Sequence, residues 1–363
     1  MNSKFVIISA VIITVSVLAV IAIDSTNLDR LCAEKGGVRN GDMCIIDVSE
    51  SDVSESVSET VFDLSQIKSM RPNTMEYFYY PNPEDTTNRD VFQKFILIRL
   101  PESLGGAADD VSAFRAYSAL SVGVHCQVKY WPNEGRQRME DPCWGSMYRP
   151  IDGAMMYPYP VMNESPLGLP YLDLSVDADG SLYVEPPVWT LQENGVIGVG
   201  RTMSLQEIRQ GSQIIVDSYK KTNPNHPMIP VDFAGLVLVE INPDHNRVNA
   251  RYSDFGGLYY QDVSFEVRNV SSEDQQYFLN FAKPNSEFWQ IGDTIIRIGG
   301  SAFDKNSERP ERFRNYNIEF ILDGFMFDIS GPNLDVLKSS IVANYFPEYE
   351  YDDLFLVSST VEK

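Results

Sequence analysis

Hydrophobic and polar positions fall into four textures along the chain. Phe5 to Ile23 is a predominantly apolar run with no charge, its only polar residues Ser9, Thr14 and Ser16, about long enough for a helix to cross the hydrocarbon core of a bilayer. Asp47 to Glu59 is a near-repeat of Val-Ser-Glu-Ser. It holds too few large side chains to bury a core, and charge repulsion extends it, so it reads as a flexible tether. From Val61 to about Trp189 the pattern is that of strands. Phe95 to Leu100 is a buried-strand run, and Val111 to Ser118 alternates, with Phe114, Ala116 and Ser118 on one face and Ala113, Arg115 and Tyr117 on the other. Turn formers at Gly105-Gly106, Asp152-Gly153 and Asp179-Gly180 punctuate it. Without a long helical pattern, this stretch is expected to be an antiparallel sandwich or barrel of short strands.

A fourth texture follows Asn194-Gly195-Val196-Ile197-Gly198-Val199-Gly200. The glycines there are not in the order of a dinucleotide loop, and an interdomain turn is expected instead. Ser204-Leu205-Gln206-Glu207 is a capping box that opens a helix toward Val216. Leu236 to Ile241, Val263 to Val267, Thr294 to Ile298, Ile318 to Leu322 and Phe325 to Ile329 read as strands. Asn333 to Tyr345 reads as a helix, with Leu334, Leu337, Ile341 and Tyr345 on one face. The expectation is a mostly β chain in five parts. These are an anchor at 1–24, a juxtamembrane segment at 25–46, a linker at 47–60, a β unit at 61–189 and an α+β C-terminal domain at 190–363.

Charge narrows the function. Lys and Arg total 29 against 51 Asp and Glu, a formal net charge of −22, which disfavours nucleic acid and anionic lipid headgroups as partners. Lys4 and the terminal amine precede the apolar run, whereas Asp24, Asp29 and an acidic remainder follow it. That asymmetry predicts a single-pass protein of the cell membrane, its N-terminus cytoplasmic and its bulk extracytoplasmic. The rival reading is a signal peptide processed near Val20-Ile21-Ala22. An uncleaved anchor is favoured because the charged n-region is thin and the apolar run exceeds a usual h-region. The 4 cysteines form two local pairs, Cys32 with Cys44 and Cys126 with Cys143, and outside the cytoplasm paired thiols form disulfides. Cys32–Cys44 would close a loop containing Gly36-Gly37 and Asn40-Gly41, a small stapled hairpin above the membrane.

One constellation carries chemistry. Ala119-Leu120-Ser121-Val122-Gly123-Val124-His125-Cys126-Gln127-Val128-Lys129-Tyr130-Trp131-Pro132 is followed by Asp141-Pro142-Cys143-Trp144-Gly145-Ser146-Met147-Tyr148. The pair resembles the two cluster-binding loops of Rieske iron–sulfur proteins, Cys-x-His-x-x-Cys and Cys-Pro-Cys-His-Gly-Ser-x-Tyr, as in the Rieske subunits of cytochrome b complexes. The continuation fits as well. Asp152-Gly153 stands at the family's turn, Pro158-Tyr159-Pro160 at its proline loop, and Leu169 to Leu174, Asp179-Gly180 and Leu182 to Val184 at its closing hairpin. The resemblance covers roughly Phe62 to Val188, about a third of the chain, and makes 61–189 a Rieske-like domain.

The resemblance also shows what is missing. Two cysteines and two histidines hold a Rieske [2Fe–2S] cluster. Their positions here carry Ser121, Gly123, Asp141 and Trp144. Glycine and tryptophan offer no side-chain ligand, and serine and aspartate replace thiolate poorly on iron–sulfur, so no cofactor is expected. Cys126 and Cys143 match the cysteines that the family joins in a disulfide, while Gly145, Ser146 and Tyr148 match positions that tune the cluster. An alternative is a mononuclear copper or zinc site from His125, Cys126, Asp141 and Cys143, against which stands an exposed loop histidine beside a disulfide.

Other candidates carry less. His226 and His245 lie in turn-forming sequence, and with 3 histidines in all no Ser-His-Asp or Cys-His arrangement can be built. Asp177, Asp179 and Gly180 resemble a calcium loop without its downstream glutamate, so a hairpin turn is preferred. Asn163-Glu164-Ser165 and Asn269-Val270-Ser271 fit the glycosylation tripeptide. The resemblance therefore implies a Rieske-like protein without its cluster, not catalytic on its own. It would be an accessory or structural subunit of a quinol-oxidising, cytochrome b–Rieske type electron-transfer complex. The alternatives are a free-standing surface protein for binding or sensing, and a redox protein with altered ligands.

Overall fold

The computed structural model describes residues 38–40, 43–45, 61–62, 70–80, 93–122, 126–132, 137–157, 168–176, 181–185, 189–191, 197–199, 201, 203–244, 246–255, 262–272, 278, 286–302 and 314–359. The expected span at Phe5 to Ile23 lies outside them. Among the described residues no helix is long and apolar enough to cross a membrane. Val38–Asn40 pairs with Met43–Ile45 as an antiparallel hairpin that sets Arg39 opposite Cys44. Cys32, and with it the expected bond to Cys44, falls outside the described residues.

The β unit is built from three small antiparallel sheets. The central one runs Tyr171–Leu172, Phe114–Ser118, Lys94–Arg99, Thr74–Tyr79. Its two inner strands are buried on both faces, which explains the continuous apolar run at Phe95 to Leu100. Ile96, Ile98 and Tyr117 face a core shared with a second sheet, ordered Met155–Tyr157, Met147–Tyr148, Arg138–Glu140, Lys129–Trp131. Phe95, Leu97, Phe114 and Ala116 face a core shared with Leu174–Val176 and Leu182–Val184 of the third. The alternation expected from Val111 starts later than the pattern suggested. Val111–Ala113 is a 3-10 turn capped by Asp110, whose side chain accepts the Ser112 N–H, and the strand begins at Phe114.

Within the glycine-rich stretch expected to be an interdomain turn, Ile197–Val199 forms a strand that pairs with Trp189–Leu191. The first helix, α1, runs Leu205–Thr222, with the capping box formed between Ser204 and Glu207. It extends past Val216 because nothing breaks the helical pattern before Asn223. Beyond it lies a nine-stranded antiparallel sheet, ordered Asp232–Phe233, Leu236–Asp244, Arg247–Ser253, Val263–Asn269, Phe325–Gly331, Tyr316–Leu322, Thr294–Gly299, Glu287–Ile291, Phe355–Ser359. Helix α2, Leu334–Tyr345, is capped by Asn333. Its Leu337, Ile341 and Val342 pack on Tyr252, Phe265, Phe320 and Phe327 on one face of that sheet.

The two units share a core. Met203, Ile208, Val237, Val239 and Phe255 of the C-terminal part cluster with Ile96, Tyr117, Met139 and Tyr148 of the β unit. Arg149 sits in this junction, among the largest fully buried side chains of the protein. Its Nε donates to Asp152 Oδ1 at 2.9 Å, and its Nη2 meets Asp152 Oδ2. The remaining donors reach Ser212 Oγ at 2.9 Å, Leu238 O at 2.8 Å, Val239 O at 3.2 Å and Ile208 O at 2.9 Å. The guanidinium lies 5.2 Å from the centre of the Phe255 ring. A planar fork with five N–H donors can satisfy an ion pair and several carbonyls at once, which lysine cannot. A side chain on Gly211 of α1 would sit 2.2 Å from Asp152 Oδ2, so only glycine lets the helix close on the pair.

Candidate functional site: the paired loops

The two loops meet at one end of the second sheet. Antiparallel pairing of Lys129 with Glu140 brings the end of the first loop beside the start of the second. The first is zipped by its own backbone. Leu120 bridges Gln127, the Val128 N–H donates to Ala119 O at 2.8 Å, and the Ser121 N–H donates to Cys126 O at 2.8 Å. Ser121 Oγ accepts the Cys126 N–H at 3.0 Å, and the serine is fully buried. Gly123 and His125 lie outside the described residues.

The second loop is a tight turn organised by Asp141, which is also fully buried. Its N–H donates to Ser146 O at 2.9 Å, and its carbonyl accepts the Gly145 N–H at 2.8 Å. Its Oδ1 accepts the N–H groups of Cys143 at 2.7 Å and Trp144 at 3.4 Å, the turn chemistry for which aspartate is suited. Gly145 holds φ at +79°, which a side chain would resist. Asp141 Oδ2 and Ser146 Oγ are buried and take no hydrogen bond from the described residues. Cys126 and Cys143 are disulfide-bonded, with Cα atoms 6.2 Å apart. Tyr148, fully buried, accepts the Val122 N–H on its hydroxyl at 3.2 Å and so ties the loops from below. Beneath them Tyr117 donates to Pro150 O at 2.9 Å, and burial pushes its pKa well above the ordinary value, so it remains a neutral donor.

The donor set does not fit a [2Fe–2S] cluster. Of the ligand positions described, Ser121 is committed to a backbone N–H, Asp141 caps its own turn and Trp144 has no ligating atom. Trp144 is 50% exposed instead, flanked by the exposed Pro142 and Cys143. The mononuclear alternative keeps Asp141 beside both sulfurs, but as disulfide sulfurs they are poor ligands, because metal binding needs thiolate. His226 sits far along the chain at the C-terminus of α1, where its Nδ1 shares a hydrogen bond with the Tyr219 hydroxyl at 2.7 Å.

A second polar site lies on the face of the nine-stranded sheet turned away from α2. Glu240, Asn242, Asn249, Arg251, Glu266 and Asp328 line a cavity of about 400 Å³ there. Arg251 bonds Asp262, just before the strand Val263–Asn269, and the Met156 carbonyl of the β unit. Burial raises the Asp262 pKa above the ordinary aspartate value, and Arg251 opposes the shift.

No protein-family model and no curated protein matches the chain. Among solved structures it is similar to crystal structures of the quaternary ammonium Rieske monooxygenase CntA. The complex with L-carnitine is 12% identical, covering 84% of this chain and 79% of that one, with a TM-score of 0.24. The complex with gamma-butyrobetaine is 13% identical, covering 83% and 78%, with a TM-score of 0.24. The apo form is 10% identical, covering 86% and 85%, again with a TM-score of 0.24. Identities and scores of this size assign no family.

Proposed function

We propose that this chain is a recognition protein that carries no electrons through an iron–sulfur cluster, held outside the membrane by its N-terminal span. It docks through the tip of its paired loops onto a membrane electron-transfer complex of the cytochrome b–Rieske type. One observation carries the reading. The two loops are tied without any cluster donors: Asp141 caps the turn and the Cys126–Cys143 disulfide joins them. The half-exposed Trp144 is then presented on a rigid mount, and tryptophan is the residue type most enriched among binding hot spots. The shared core and the Arg149 junction support the tip with the whole C-terminal part. The test is purification from the native membrane with Trp144 intact or changed to Ala. Co-purification of a cytochrome b-type subunit with the wild type and its loss with Trp144→Ala supports the reading; equal recovery with both contradicts it.

The cavity of about 400 Å³ on the sheet face turned away from α2 favours a second reading, a free-standing surface protein that binds its ligand there. Under it, changes at Glu266 or Asp328 abolish binding and changes at Trp144 do not.

A further inference from the structure

We propose that the loop tip is a latent metal site, opened by reduction of the Cys126–Cys143 disulfide and selective for a zinc-like divalent cation. One carboxylate oxygen of Asp141 and the two sulfurs lie within 4.8 Å of one another. Asp141 is fully buried, and while Oδ1 is held by two backbone N–H groups, Oδ2 has no partner among the described residues. A buried carboxylate oxygen without a partner is costly, and here it stands beside two latent thiolates. Two sulfurs and one oxygen form a donor set for zinc or cobalt, with the fourth tetrahedral position open to water. Around an ion with Zn–S of about 2.3 Å, two thiolates stand roughly 3.7 Å apart. Side-chain rotation supplies that separation on Cα atoms 6.2 Å apart. This inference concerns the same loops as the docking reading but does not depend on any partner.

The chemistry balances with an external dithiol. One of its thiolates attacks the exposed Cys143 sulfur, and the bond to Cys126 breaks, releasing the Cys126 thiolate. The second thiol then resolves the mixed disulfide. The protein disulfide has gained two electrons and two protons, and the dithiol has become a disulfide. Binding of one M²⁺ displaces the two thiol protons. The order of events follows from the geometry: the oxidised tip holds only the carboxylate, and the reduced tip holds all three donors.

The experiment uses the full chain in detergent, in a Cys32→Ser/Cys44→Ser background so that only one cysteine pair responds. The protein is reduced with a dithiol, freed of it anaerobically, and titrated with Co²⁺. Expected are a thiolate-to-cobalt charge-transfer band that saturates at one equivalent, its displacement by Zn²⁺, and no band before reduction. Asp141→Asn keeps the turn, since the amide oxygen can accept the same N–H groups. It should weaken binding by no less than the roughly 10–100-fold that loss of a ligand's supporting partner costs. Zn²⁺ should also raise the melting temperature of the reduced protein and leave that of Cys126→Ser/Cys143→Ser unchanged. The proposal is overturned by absence of the band after reduction, by equal binding before reduction, or by unchanged affinity in Asp141→Asn. If reduction loosens the fold, failure of Zn²⁺ to restore the melting transition overturns it as well.

Discussion

Asp152→Asn separates the structural role of the unit junction from that of an ordinary ion pair. The substitution preserves shape and leaves Oδ1 able to accept from Arg149 Nε and from the Ala154 N–H, which it takes at 2.9 and 3.0 Å. What it removes is the negative charge, and it sets an amide N–H₂ against Arg149 Nη2. Both side chains of the pair are 2% exposed, so the guanidinium is left charged and uncompensated in the interior. Breaking a buried pair in this way costs about 3–5 kcal/mol. At roughly 2–4 °C per kcal/mol for a large domain, the melting temperature should fall by about 6–20 °C. The internal control is Asp109, which pairs with Arg99 at 3.3 Å but is 70% exposed. Asp109→Ala should cost no more than about 1 kcal/mol. Urea denaturation of both variants, followed by tryptophan fluorescence, reads the two costs on one scale. A loss in Asp152→Asn no larger than that in Asp109→Ala would refute the claim that the Arg149 network holds the two units together.

Three further outcomes are expected. Gly211→Ala should destabilise, against the gain of about 1 kcal/mol that alanine brings to a helix interior, because the new methyl meets the pinned Asp152 carboxylate; a more stable variant in thermal melts would contradict this. Cys126→Ser/Cys143→Ser removes a bridge of sequence separation 17, worth roughly 3 kcal/mol on the chain-entropy model, and calorimetry showing an unchanged transition would sink the role given to the bridge. Asp262 has a folded pKa raised above its unfolded value by burial, so the folded state binds the extra proton, and stability falls as pH climbs from the unfolded value through the raised one; denaturation across mildly acidic pH should show this slope in the wild type and not in Asp262→Asn.

Local signals were strong where backbone chemistry is local. The Ser204–Glu207 capping box, the helix ending at Tyr345 and the strands at Leu236, Val263, Thr294, Ile318 and Phe325 all stand where the pattern put them. Arg247–Ser253 was missed although it alternates, with Val248, Ala250 and Tyr252 buried. Its polar Arg247, Asn249 and Arg251 make it look like loop when read without a partner strand. Glu287–Ile291 was missed because it borders on the outer part of the sheet and is largely half-buried. The disulfide between the loops was legible through the resemblance. The role of Asp141 was not, because a residue read as a lost ligand turned out to cap the turn. Arg149 gave no signal at all, since Ser212, Ile208 and Leu238 reach it only in three dimensions.

Whether the two loops are held together by Asp141 and the disulfide with no place for a cluster is decided by reconstitution. The full chain is incubated with iron and sulfide under conditions that load ordinary Rieske proteins, then examined by EPR after reduction with dithionite, alongside iron and sulfide analysis. The structure commits Ser121 to the Cys126 N–H and Asp141 to its own turn, so no g-anisotropic signal and no stoichiometric iron or sulfide are expected. A Rieske-type signal with two irons and two sulfides per chain, the composition of a [2Fe–2S] centre, would contradict the account.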